Sequence, residues 1–74
     1  VDERLLLDAA LDAMRAGGMT TVFLEVRQSN RAAIRLYAGV GFQSISLRRG
    51  YYRNPTEHAV TMALEWAPER REKD

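Results

Sequence analysis

Apolar side chains recur with a helical step over the first part of the chain. Leu7, Leu11 and Met14 fall four and three residues apart, Leu6, Ala10 and Ala13 widen the stripe, and Asp8, Asp12 and Arg15 take the other face. The spacing predicts a helix from Val1 to Ala16. Asp2 and Glu3 suit its positive end, Arg15 its negative end, and Gly17-Gly18 stops it through a left-handed cap. Thr20 to Val26 is β-branched and apolar without alternation, the pattern of a strand covered on both faces and parallel to its neighbours. Ser29 or Asn30 caps a second helix, whose apolar positions Ala33, Ile34, Leu36, Tyr37 and Val40 keep helical spacing until Gly39 and Gly41 end it.

From Phe42 the period changes to two, with Ile45 and Leu47 on one face and Ser44, Ser46 and Arg48 on the other. Tyr51 to Glu57, with Asn54-Pro55 inside it, reads as a loop between antiparallel strands. The last strand alternates cleanly, with Val60, Met62, Leu64 and Trp66 on one face and Ala59, Thr61, Ala63 and Glu65 on the other. Pro68 ends it. The predicted order is helix, strand, helix, strand, strand: an α/β arrangement with a mixed sheet over 1–67, and a charged, disordered tail over 68–74. A long amphipathic helix at the very start, with no strand before it, is the pattern expected of a truncated domain.

Composition narrows the class. With 74 residues the chain is one domain at most, and a domain of this size buries only about 60% of the surface that its unfolded chain exposes. Its 46% apolar and 28% charged residues are ordinary for a soluble globular protein. A net charge of +1 supplies no global field for nucleic acid. The absence of cysteine excludes disulfides, thiolate metal sites and thiol nucleophiles, and the default location is the cytoplasm. No apolar run approaches the roughly 18 residues of a membrane span. His58 has no second histidine or cysteine to share a metal with, so no metal site is expected.

The candidate chemistry lies at the junction from Leu24 to Tyr37, where the carboxyl end of a strand meets the free N–H groups of a helix. Glu25 is the single ionisable residue between Val22 and Val26. A strand-end carboxylate of this kind either pairs with Arg27 or Arg49 or, raised in pKa by burial, serves as a base. Tyr37 is either a core aromatic with one hydrogen bond or a proton donor. Arg31 and Arg35, one turn apart, read as a solvated face. The run Arg48-Arg49-Gly50-Tyr51-Tyr52-Arg53 interleaves bases and aromatics, which suits packing within a hairpin, peptide contact or nucleobase stacking.

Phe23-Leu24-Glu25-Val26-Arg27, followed by Ser29-Asn30, Ala33-Ile34, Leu36-Tyr37, Gly41-Phe42, Arg48-Arg49 and Tyr51-Tyr52, resembles the C-terminal half of a GCN5-related N-acetyltransferase over Leu5 to Leu64. Within that superfamily it looks most like the RimI-type enzymes, which acetylate the N-terminal alanine of a small-subunit ribosomal protein. The resemblance implies acetyl-coenzyme A as co-substrate and a protein N-terminus as acceptor. It makes Glu25 the proton acceptor, Tyr37 the proton donor beside the cofactor, and Asn30 a contact to the pantetheine arm. It also puts Tyr51 and Tyr52 in the groove for the acceptor peptide. The basic, glycine-rich pyrophosphate loop and the strands that precede the first helix in this family are not in the sequence, and Gly39-Val40-Gly41 closes a helix instead of opening one.

Three functions stay open at this level: a RimI-type acetyltransferase or a piece of one, a non-catalytic half-domain that supplies one layer to a partner or self-associates through its unpaired strand and exposed apolar helix, and a small RNA-binding domain.

Overall fold

The computed structural model describes residues 2–66, so the expected helix start at Val1 and the expected tail over 68–74 lie outside the described residues. The elements run α1 (Glu3–Ala16), β1 (Thr21–Arg27), α2 (Arg31–Gly39), β2 (Gln43–Tyr52) and β3 (Glu57–Glu65), in the expected order. Asp2 caps α1 by accepting a hydrogen bond from the Arg4 N–H at 2.9 Å. Gly18, at φ +96°, turns the chain out of it. Asn30 caps α2, its Oδ1 accepting from the Ala33 N–H at 3.1 Å. Gly41 closes the turn into β2 for two reasons: its φ is +114°, and a Cβ there would stand 3.0 Å from Leu64 Cδ1.

The three strands form one sheet in the order β1-β3-β2, and both pairings are antiparallel. The parallel neighbour expected for β1 is not among the described residues. β1 and β2 do run in the same direction, as a strand-helix-strand crossover demands, but the hairpin after β2 returns β3 into the gap between them. Nor is β1 covered on both faces, since Phe23 is 63% exposed.

Register sorts the side chains. Val22, Leu24 and Val26 of β1 lie opposite Leu64, Met62 and Val60 of β3, and this face packs under the helices. Leu11, Val26, Phe42, Met62 and Leu64 form the buried core, with Met62 only 1% exposed. Leu7 and Met14 join it from α1, and Ile34 and Tyr37 from α2. The buried stripe of α1 is narrower than expected, because Leu6, Ala10 and Ala13 are exposed.

Phe23, Glu25 and Arg27 lie opposite Ala63, Thr61 and Ala59 on the other, open face of the sheet. The expected alternation of β2 breaks at a register shift between Ser44 and Ser46. Ile45 and Leu47 therefore do not share a face. Leu47 lies opposite Val60 on the helix side, whereas Ile45 lines a shallow pocket on the open side with Phe23, Gln43 and Ala63. Ser46 and Arg48 follow Thr61 and Ala59 onto the open face. β2 also runs two residues into the expected loop, ending at Tyr52 opposite Glu57.

Candidate functional site

Because successive residues of a strand point to opposite faces, the sheet divides the expected site residues into two groups. Asn30 and Tyr37 lie on the helix side. Glu25, Tyr51 and Tyr52 gather on the open side, the two neighbouring tyrosines sharing it because the ladder is irregular between Arg48 and Tyr52, where Gly50 stands at φ +63°.

On the helix side a 460 Å³ groove runs between α1 and α2, lined by Leu6, Leu7, Ala33 and Leu36 with Asn30 and Tyr37. Its walls are mostly aliphatic, and its polar side chains are the Asn30 amide, the Tyr37 phenol and, from the start of α1, the Glu3 carboxylate. The Asn30 oxygen is engaged by the helix cap, which leaves its NH₂ group as a donor. The Tyr37 ring packs edge-on against Phe42, with centroids 5.6 Å apart. That contact orients the phenol within the half-buried side of α2.

On the open side Glu25 Oε2 accepts from Arg48 Nη1 at 2.6 Å, an ion pair that passes over the intervening strand β3. The pair and its aromatic neighbours roof the sheet: Ala59 points to the open face and is nevertheless wholly buried. Burial is therefore not the dominant influence on Glu25. The Arg48 guanidinium holds its carboxyl below the usual range, against the upward push of partial desolvation, with weaker help from the nearby Tyr51 hydroxyl. This corrects the expected raised pKa. The partner is also Arg48 and not Arg27 or Arg49, because Arg48 shares the open face with Glu25 while Arg27 is engaged by Glu57.

The two tyrosines differ. Tyr51 is 44% exposed, lies under the Arg48 guanidinium at 4.3 Å, and has its own pKa pushed up by the adjacent Glu25 carboxylate, so its phenol stays a donor. Tyr52 is half-buried and donates its hydroxyl proton to the Glu25 carbonyl at 3.2 Å, with Arg27 over its ring at 4.3 Å. Their rings meet edge-on at 5.1 Å. One face of each ring is thus covered by a guanidinium that is itself paired with a carboxylate.

Three residues have contacts that the sequence reading did not assign. Glu57 accepts from the Ser29 N–H at 2.7 Å and from Arg27 Nη1 at 3.1 Å, tying the start of β3 to the β1–α2 turn. Hydrogen bonding to Ser29 and the pairing with Arg27 hold its carboxyl low. His58 stands at the start of β3 and accepts from the Gly50 N–H through Nδ1 at 3.0 Å, which fixes the hairpin. Thr61 faces Glu25 across the strand pair, and its buried hydroxyl has no hydrogen-bond partner among the described residues. The strand parity of Glu25, Thr61 and Arg48 was visible in the sequence. Their pairing register was not.

Among the described residues no cluster of three His, Cys, Asp or Glu could hold a metal ion, and no helix is long and apolar enough to cross a membrane.

Comparison with known proteins converges on one family. The sequence model of the acetyltransferase (GNAT) family matches residues 4–42. The chain is 48% identical over 62 residues to the [ribosomal protein bS18]-alanine N-acetyltransferase of Haemophilus ducreyi, a match covering 80% of this chain and 43% of that protein. The fold is similar to the crystal structure of the ribosomal-protein-S18-alanine N-acetyltransferase from Escherichia coli, with TM-score 0.82 and 38% identity over 96% of this chain and 47% of that one. It is also similar to a chain of the NatC complex bound to Gag peptide and CoA, with TM-score 0.82 and 30% identity over 86% of this chain and 40% of that one. The chain thus spans less than half the length of these relatives.

Proposed function

The chain belongs to the acetyltransferase (GNAT) family, and from that premise we propose that it carries the acceptor side and part of the cofactor side of a RimI-type protein N-terminal acetyltransferase. The reaction is transfer of the acetyl group of acetyl-coenzyme A to the N-terminal α-amine of a protein, with the alanine terminus of a ribosomal protein as the leading acceptor and the cytoplasm as its location. The observation that carries this reading is the grouping of Glu25 with the Tyr51 and Tyr52 phenols on one open face, beside an edge strand. A carboxylate flanked by hydrogen-bonding phenols suits a peptide terminus: the phenols hold backbone polar groups, and the carboxylate takes the amine proton.

The residues of the helix-side groove fit the arm of coenzyme A, which alternates aliphatic segments with amides. Asn30 would donate to an amide carbonyl, and Leu6, Leu7 and Ala33 would cover the methylenes. Bound there, the cofactor supplies an acetyl thioester. An α-amine with a pKa near ~8 needs only a weak base, so a Glu25 held ionised by Arg48 is adequate once the guanidinium gives way to the amine. Tyr37 would return a proton to the departing thiolate. Glu25 and Tyr37 lie on opposite faces of the sheet, so acceptor and thioester would meet around the free edge of β1, one of the two outer strands among those described and the one that carries Glu25.

A second reading, a non-catalytic half-domain that self-associates, is favoured by the apolar pocket of Phe23, Ile45 and Ala63 on the open face, where Phe23 is 63% and Ile45 54% exposed. Mixing the chain with acetyl-coenzyme A and an alanine-initiated peptide, followed by mass spectrometry, separates the two. Acetylated peptide supports the enzyme. No product, no cofactor heat by calorimetry and a dimer by sedimentation would leave the association module.

A further inference from the structure

The two groups of site residues face opposite sides of the sheet, yet one carboxylate is bonded into both. Glu57 Oε2 accepts from the Ser29 N–H at 2.7 Å, at the turn where Asn30 begins α2 and enters the helix-side groove. Its Oε1 accepts from Arg27 Nη1 at 3.1 Å. Arg27 in turn lies over the Tyr52 ring at 4.3 Å and reaches the Arg53 carbonyl at 3.5 Å, and Tyr52 donates to the carbonyl of Glu25. The series Asn30 turn, Glu57, Arg27, Tyr52, Glu25 is continuous. With 19% of its side chain exposed, Glu57 is the least accessible charged group of the three ion pairs.

We propose that Glu57 is a positioning residue that couples the acceptor hairpin to the cofactor groove, so that filling one side preorganises the other. This rests on the acetyltransferase reading above. Glu57 touches neither substrate in that scheme. It acts because Ser29 and Arg27 each have one strong anionic partner, and it is the same carboxylate. A peptide terminus that orders Tyr52 orders Arg27 through the ring contact, and Arg27 fixes Glu57. Glu57 then holds the Ser29 N–H, and with it the cap from which the Asn30 amide projects. Without that carboxylate the turn keeps the backbone hydrogen bond from the Gln28 N–H to the His58 carbonyl, and the hairpin keeps its bonds to β1 through Arg27 and Tyr52, but among the described residues no other side chain ties the Ser29 N–H to β3.

Coupling is reciprocal between two ligands and is read without turnover. Coenzyme A is titrated into the full chain by calorimetry, with and without a saturating alanine-initiated peptide. In the unsubstituted chain the peptide is expected to tighten coenzyme A by at least about fivefold, and coenzyme A to tighten the peptide by the same factor. Glu57→Ala is expected to bring that factor to unity. Glu57→Gln, which keeps an acceptor for one of the two donors, should retain part of it, and it serves as the informative variant if Glu57→Ala does not fold. Arg27→Met should lose the same coupling, with no further loss in the double variant. Coupling that persists in both Glu57 variants, or is absent from the unsubstituted chain, overturns the inference while leaving the acetyltransferase reading intact. No coenzyme A binding to the unsubstituted chain overturns that reading, and this inference falls with it.

Discussion

The Arg48 guanidinium stands 2.6 Å from the Glu25 carboxylate across the width of strand β3, so the carboxylate proposed for proton transfer is held ionised by a cation that, in the proposed reaction, the acceptor amine would displace. Replacing Arg48 with Met removes the main influence lowering the Glu25 pKa and leaves partial desolvation to raise it. The Glu25 carboxyl of Arg48→Met should therefore titrate at higher pH than in the parent chain. Carbon-13 NMR of labelled glutamate reads this directly, and an unmoved titration would show that the ion pair does not govern Glu25.

In a chain that acetylates, Glu25→Gln should lower kcat by about 100-fold or more, the range of general acid–base contributions, while the affinity for acetyl-coenzyme A stays within about twofold. Tyr37→Phe keeps the edge-on contact with Phe42 and removes only the hydroxyl, so turnover should fall with little change in melting temperature. Full turnover in both variants would break these role assignments.

Asn30 caps α2 and is proposed to contact the cofactor, and a pair of variants separates the two roles. Asn30→Ala loses the bond to the Ala33 N–H and should destabilise the chain by about 1 kcal/mol. Asn30→Ser restores a cap but supplies no amide. It is expected to melt with the parent while binding coenzyme A more weakly, and equal binding would remove Asn30 from the cofactor side.

Acid should weaken the fold through Glu57 as well as Glu25. Both carboxyls have folded-state pKa values below that of an ordinary glutamate, near ~4.3, so they stabilise the folded chain above that pH. Their contribution is lost as pH falls through the lowered folded values. The melting temperature of the parent should accordingly drop more steeply below about pH 4 than that of Glu57→Gln, which has no proton to take up at that position. Parallel curves would mean that the contacts to Ser29 and Arg27 add nothing to stability.

Met62 is the largest fully buried side chain, and its truncation leaves a cavity under both helices. Met62→Ala should cost about 2–5 kcal/mol. A domain of this size holds little more than that in reserve, so loss of the cooperative thermal transition is expected.

Much of this architecture was legible along the chain. The Asn30 cap, the glycine pair that ends α1 and the alternation through β3 are local events, settled by residue type and by spacing over a few positions. The run from Glu25 to Tyr37 pointed to the family by the same local logic. What the residues could not reveal was which strand lies beside which. The insertion of β3 between β1 and β2, and the irregularity that moves Ile45 away from the face of Leu47, depend on hydrogen bonds between positions far apart in the sequence. Those bonds brought Arg48 to Glu25 and Glu57 to Ser29, and they placed Glu25 and Tyr37 on opposite faces of one sheet. Side-chain identity fixed the chemistry available to each residue, and strand register decided which residues could share it, because a shift of one residue turns a side chain to the other face.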